Sequence, residues 1–221
     1  MRRSTLVVIA LVSLSSFALL GSVLANDRGL YGFDVPFLRS LLSIRAWADI
    51  ADLIGAPAIV AVLAVALAFG ILRRSVLRVV VYAGLAVVTF LISEHVAKPL
   101  DHETIASHLS FPSGRVTAVC ATAIAMWFAL RPLLGKLARR VTFFLGAAWV
   151  LLMSAAVVGA QWHLPFDALG SVLLSLGVVA AGGAIYESTE PRGAIGPVDA
   201  DAASLPGEGN AALTANVRGS G

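Results

Sequence analysis

VLRVVVYAGLAVVTFLISEHVAK, residues 76–98, is an apolar run whose only basic or acidic residues are Arg78 near its start and Glu94, His95 and Lys98 near its end. A helix needs roughly 20 predominantly apolar residues to cross the hydrocarbon core of a bilayer, and residues 76–97 meet that length. Working outward in both directions, five more runs do the same, at about 5–25, 50–72, 116–134, 141–160 and 165–186. The chain of 221 residues is 58% hydrophobic and 13% charged, with a mean hydropathy of +0.89. That is far too apolar for a water-soluble domain of this length. The expectation is an all-α, polytopic membrane protein with six transmembrane helices in a bundle and both termini on one side.

Basic residues in the connections set the orientation. Arg2 and Arg3, then LRRSVLR (72–78), then RPLLGKLARR (131–140) fall on alternate sides of successive spans and so share one face. The positive-inside rule makes that face cytoplasmic. Residues 26–49, 98–115 and 161–167 are then extracytoplasmic, the first containing the amphipathic stretch FLRSLLSIRAWADI. The net charge of +3 sits in short clusters without interleaved aromatics, which argues for membrane topology and against a nucleic-acid partner. The first run follows Arg2 and Arg3 and ends in VLA (23–25), a pattern shared with cleaved signals. Its length favours a retained span. Residues 188–221, rich in Gly, Ala, Pro and scattered acids, cannot bury enough apolar surface to order themselves and read as a disordered cytoplasmic tail after a 1–187 membrane domain. Cys120 is the single cysteine, lies inside an apolar run, and reads as packing.

The side chains able to do chemistry gather on the outer side. All four histidines (His95, His102, His108 and His163) lie there with Glu94, Lys98, Asp101, Glu103, Arg115 and Asp167, and ionisable groups near membrane depth tend to be functional. Lys98 stands four residues after Glu94, as a snorkelling lysine with a helical partner would. In SFPSGRVTAV (110–119), Pro112 keeps its predecessor extended, Ser113 is an N-cap type and Gly114 admits close approach to the backbone. Free N–H groups at the start of the following helix, with Arg115 beside them, suit an anion. A capped helix start with an interfacial arginine is the other reading of the same residues. In HLPFDALG (163–170), Pro165 suits the first helical position and Asp167 the first turn. Asp167 then lies four residues beyond His163, where a carboxylate on one imidazole nitrogen leaves the other more basic and nucleophilic. The alternative is an interfacial histidine beside Trp162. Asp101, His102 and Glu103 are adjacent and do not converge on one helix face, so no metal site is expected.

Taken in order and sidedness, KP (98–99), FPSG (111–114) and H-x-P-x-D (163–167) resemble the type 2 phosphatidic acid phosphatase family. The similarity extends to its bacterial membrane members acting on lipid phosphates and polyprenyl diphosphate carriers and, more distantly, to the vanadium haloperoxidases. It covers roughly residues 76–186. The resemblance implies that Lys98, Ser113 and Gly114 hold the phosphate, that His163 forms a phosphohistidine, that Asp167 orients His163, and that no metal or other cofactor is needed.

Three positions depart from that family pattern. Its arginine five to seven residues after the lysine is replaced by Glu103, Thr104 or Ile105, the histidine of its PSGH by Arg115, and the arginine six residues before its nucleophile by Val157. A phosphoryl transition state is stabilised mainly by positive charge and positioning, and Arg115 returns one guanidinium to the site. His102 and His108, in the same loop, are the acids this reading offers. The expected activity is therefore that of a divergent phosphatase in the cell membrane, its site extracytoplasmic and its substrate a lipid phosphate or diphosphate entering sideways from the bilayer. The competing expectation is an inactive relative that binds a lipid phosphate or a membrane-protein partner. A transporter is disfavoured, because no intramembrane ion pairs or matched interrupted helices stand out. Lipid headgroup and oligomeric state are not legible.

Overall fold

A computed structural model of the chain describes residues 3–26, 46–98, 111–160 and 162–189, and everything it describes as regular is helical. Helix α1 spans Arg3–Asn26, α2 Ala46–Ile54, α3 Ala56–Leu72 and α4 Val76–Ile92, the last running on into a π-helical turn at Ser93–Ala97. After the undescribed residues 99–110 come α5, Gly114–Leu130, with a 3-10 turn at Arg131–Leu133, then α6, Lys136–Gly159, and α7, Pro165–Thr189. Six of the resulting segments are long and apolar enough to cross a membrane: Arg3–Leu24, Ala46–Leu72, Val76–Ala97, Gly114–Leu133, Lys136–Gly159 and Pro165–Thr189. The protein is a multi-pass membrane protein with the six-helix bundle its hydropathy predicts. The tail from residue 190 lies outside the described residues.

The second span differs from the expected one. Its helix starts at Ala46, within the stretch expected to be an outer loop, and is broken at Gly55. Pro57 stands at the start of α3, where its missing N–H is harmless, whereas in an unbroken helix its ring would clash with the preceding turn. Helix α2 is ordered by its apolar side. Trp47, Ile50, Ala51 and Ile54 pack with Val116, Val119, Met153, Val157 and Ala168, and Trp149 of α6 donates its indole N–H to the Ile54 carbonyl at 2.8 Å.

Helices α5 and α7 form the centre. Over the 18 most apolar residues of each, 56% are buried in these two spans against 17–28% in the other four, so the outer four meet the lipid. Small side chains let the centre pack closely and small hydroxyls tie it together, as suits helices that no hydrophobic effect presses together inside a bilayer. Ser175 donates to the Thr117 carbonyl at 3.3 Å, Ser171 to the Ser113 carbonyl at 2.9 Å, and the Ser93 and Thr117 hydroxyls stand 3.4 Å apart. At the end of the bundle carrying the basic connections, Arg78 meets Glu187 at 3.7 Å and lies over the rings of Tyr82 and Tyr186. The opposite end holds the side chains described next.

Candidate active site

The first wall comes from the end of α4. The π turn there carries Glu94, and the Lys98 N–H closes back onto the Ser93 carbonyl. Single π turns inside helices recur at functional sites. Lys98 Nζ lies 2.5 Å from Glu94 Oε1, both side chains about a quarter exposed. The pair presses against the start of α5. A Cβ on Gly114 would strike the Glu94 carboxylate and come within 3.2 Å of Lys98 Nζ, so any side chain here must displace that pair.

The second wall is the α5 N-terminus itself. Phe111 is buried, its ring stacked on Phe17 of α1 at 5.2 Å and lying where a Cβ on Gly170 of α7 would be. A cis peptide joins Phe111 to Pro112. Ser113 is the N-cap by backbone geometry, but its side chain caps nothing. Its Oγ is buried without a hydrogen-bond partner, while its N–H donates to the Asp167 carbonyl at 3.3 Å. Arg115, half exposed, places Nη1 2.5 Å from Asp52 Oδ1 of α2 and its guanidinium carbon 4.2 Å from the centre of the Trp162 ring.

The third wall precedes α7. Asp167 is 2% exposed, in the first turn of that helix, and its Oδ2 accepts the Leu164 N–H at 2.9 Å. His163 Nδ1 stands 3.4 Å from the same oxygen and has no hydrogen-bond partner. Catalytic hydrogen bonds are often long in unliganded sites and tighten when substrate binds. The Ser171 hydroxyl, shared between the carbonyls of Asp167 at 2.7 Å and Ser113 at 2.9 Å, fastens this wall to the second.

These walls, with residues of α2, α3 and α6, border an open cavity of about 530 Å³ whose polar lining is Asp52, Glu94, Lys98, Arg115 and His163, with Gly114, Ile59, Phe90, Ala118 and Met153 completing it. Of the residues expected from sequence, Lys98, Gly114, Arg115 and His163 line one cavity. Asp167 lies behind His163. Ser113 sits at the helix start without lining the cavity. His102 and His108 lie outside the described residues. Among the described residues, no three His, Cys, Asp or Glu side chains group as a metal site.

Two further residues line the cavity. Glu94 belongs from sequence to the outer-side ionisable group and is the helical partner of Lys98, with no assigned role at the phosphate, and Asp52 has no role legible in sequence. Its signal was an acid inside an apolar run, which is costly at membrane depth unless it has a partner. With the imidazole neutral, two carboxylates match two cations, so the cavity lining has no net formal charge.

Comparison with known proteins points the same way as the motifs. Residues 92–187 match the sequence model of the PAP2 superfamily. The crystal structure of a transmembrane PAP2-type phosphatidylglycerolphosphate phosphatase from Bacillus subtilis is similar in fold, with a TM-score of 0.58 at 17% identity over 82% of this chain and 97% of that one. No curated protein matches the sequence.

Proposed function

Because the chain carries a PAP2 superfamily core over residues 92–187, we propose that it is a membrane lipid-phosphate phosphatase working through a phosphohistidine at the extracytoplasmic face of the cell membrane. The observation that carries this reading is the meeting of Lys98, Gly114, Arg115 and His163 on one cavity, with Asp167 3.4 Å behind the histidine. The substrate phosphate sits against Lys98, Arg115 and the free amides at the start of α5, where the helix dipole also favours an anion. His163 Nε2 attacks phosphorus in line, Asp167 holds Nδ1 and stabilises the imidazolium, and water then releases inorganic phosphate. The apolar wall of Ile59, Phe90 and Met153 suits the lipid part of a phosphorylated or diphosphorylated lipid arriving from the bilayer. Residues 188–221 form a cytoplasmic tail in this reading.

A second reading has its own observation. Each cation of the cavity already holds a carboxylate, Lys98 with Glu94 and Arg115 with Asp52, as a site retired from catalysis also would. Phosphate release from phosphatidic acid and a polyprenyl diphosphate by purified protein in detergent separates the two. Wild type is expected to turn over, and His163→Ala to lose about 1,000-fold or more, as when a catalytic nucleophile is removed elsewhere. A silent wild type revived by Arg115→His identifies a scaffold that has given up catalysis. Silence in both sinks the phosphatase reading.

A further inference from the structure

We propose that Glu94 is the proton carrier of this site: it takes up a proton when a phosphate group binds at Lys98 and delivers that proton to the oxygen leaving phosphorus. The inference rests on the phosphatase reading above and adds to it a residue and a step.

Glu94 Oε1 is held by Lys98 Nζ at 2.5 Å, and both lie over Gly114, where a phosphate would rest. An arriving phosphate must share that ammonium with the carboxylate. Two anionic groups around one cation, in a partly dehydrated cleft, cannot both keep full charge cheaply, and the carboxyl group takes up a proton for the same reason that paired carboxylates share one. The groups facing Glu94 allow this. Lys98 stands on its own turn, Arg115 on α5, His163 before α7 and Asp52 on α2. Asp52 is paired with Arg115 and its side chain is 67% exposed to water, so the phosphate does not compete with it for Lys98. Glu94, at 28%, is the carboxylate the phosphate displaces.

The chemistry then needs that proton. An alkoxide is a poor leaving group, and an acid within hydrogen-bond reach contributes about 100-fold to 10,000-fold to such a step. As the bond from His163 Nε2 to phosphorus forms, the bond from phosphorus to the ester oxygen breaks, its electron pair stays on oxygen, and the Glu94 proton goes to that oxygen. The Glu94 carboxylate next accepts a proton from the water that attacks the phosphohistidine. The P–N bond breaks with its pair returning to Nε2, and the carboxylic acid is restored.

The test compares wild type with Glu94→Gln on two esters, an alkyl lipid phosphate and p-nitrophenyl phosphate, whose aryl oxide leaves without a proton. Glu94→Gln is expected to lose about 100-fold or more on the alkyl ester and at least tenfold less than that on the aryl ester. An equal loss on both overturns the proposal and leaves Glu94 a positioning partner of Lys98. A second arm needs no turnover. Calorimetry of inorganic phosphate binding, run in two buffers of different ionisation heat, should show proton uptake by wild type that shrinks in Glu94→Gln, and unchanged uptake overturns the proposal. A wild type that hydrolyses neither ester sinks the phosphatase reading and with it the delivery step, and the calorimetric arm then decides the uptake on its own.

Discussion

Gly114 is the residue on which the geometry of the cavity turns. It opens α5, and the space a side chain would fill is taken by the Glu94 carboxylate and the Lys98 ammonium. The single methyl of Gly114→Ala must push that pair away from the helix start, because the backbone behind it is held by the Ser113 contacts to Thr117, Asp167 and Ser171. Losing one aligned donor to a developing charge typically costs about 100-fold to 1,000-fold in rate. Gly114→Ala is expected to lose about 100-fold in phosphate release while eluting from gel filtration as wild type does. Unchanged turnover would place the phosphate away from the α5 N-terminus. The contrast with Arg115 is instructive. Arg115 looks from sequence like a free cation beside an anion site, yet it is bound to Asp52 and stacked on Trp162. Neighbours distant in sequence decide what a charged side chain is doing.

Elements explain why the three walls stay in register. The Ser171 hydroxyl bridges the start of α7 to the N-cap of α5, joining the His163 wall to the Gly114 wall through one donor. Ser171→Ala leaves its buried acceptors one donor short. This costs about 1 kcal/mol, the net worth of a typical intramolecular hydrogen bond, and a thermal melt in detergent should fall by a few degrees. Activity should fall with it, since His163 and the phosphate floor lose their common tie. An unchanged melt would mean that α5 and α7 are held by packing alone. Much at this scale was legible in sequence. The apolar runs gave the spans, and Pro165 and Asp167 marked the start of α7, because helix starts and hydrocarbon length are local properties of the chain. The α2 start at Ala46, the break before Pro57 and the π turn at Ser93–Ala97 were not legible. The first depends on Trp47 and Ala51 finding partners on α5, α6 and α7, and the π turn leaves no mark in hydropathy. Asp52 was hidden for the same reason, since its partner lies 63 residues away.

At the scale of the whole molecule, the cavity and the basic connections lie at opposite ends of the bundle. Lys98, Gly114 and His163 lie at or beside span ends at one side, while the connections at 73–75 and 134–135 lie at the other. The proposed sidedness of the reaction rests on the positive-inside rule alone, and it is open to a direct measurement. Cys120 is the single cysteine and is buried, so replacing it by alanine gives a background in which one introduced thiol reports one position. Ser75→Cys and Gly135→Cys, in the connections flanked by Arg73, Arg74 and Lys136, should react with a membrane-impermeant maleimide only after the cells are permeabilised. Ser107→Cys, between the third and fourth spans, should react in intact cells. The reverse pattern would put the cavity in the cytoplasm, where its substrate would be drawn from the inner leaflet. The residues proposed as catalytic would keep their roles, because the proposed chemistry does not depend on which leaflet supplies the lipid.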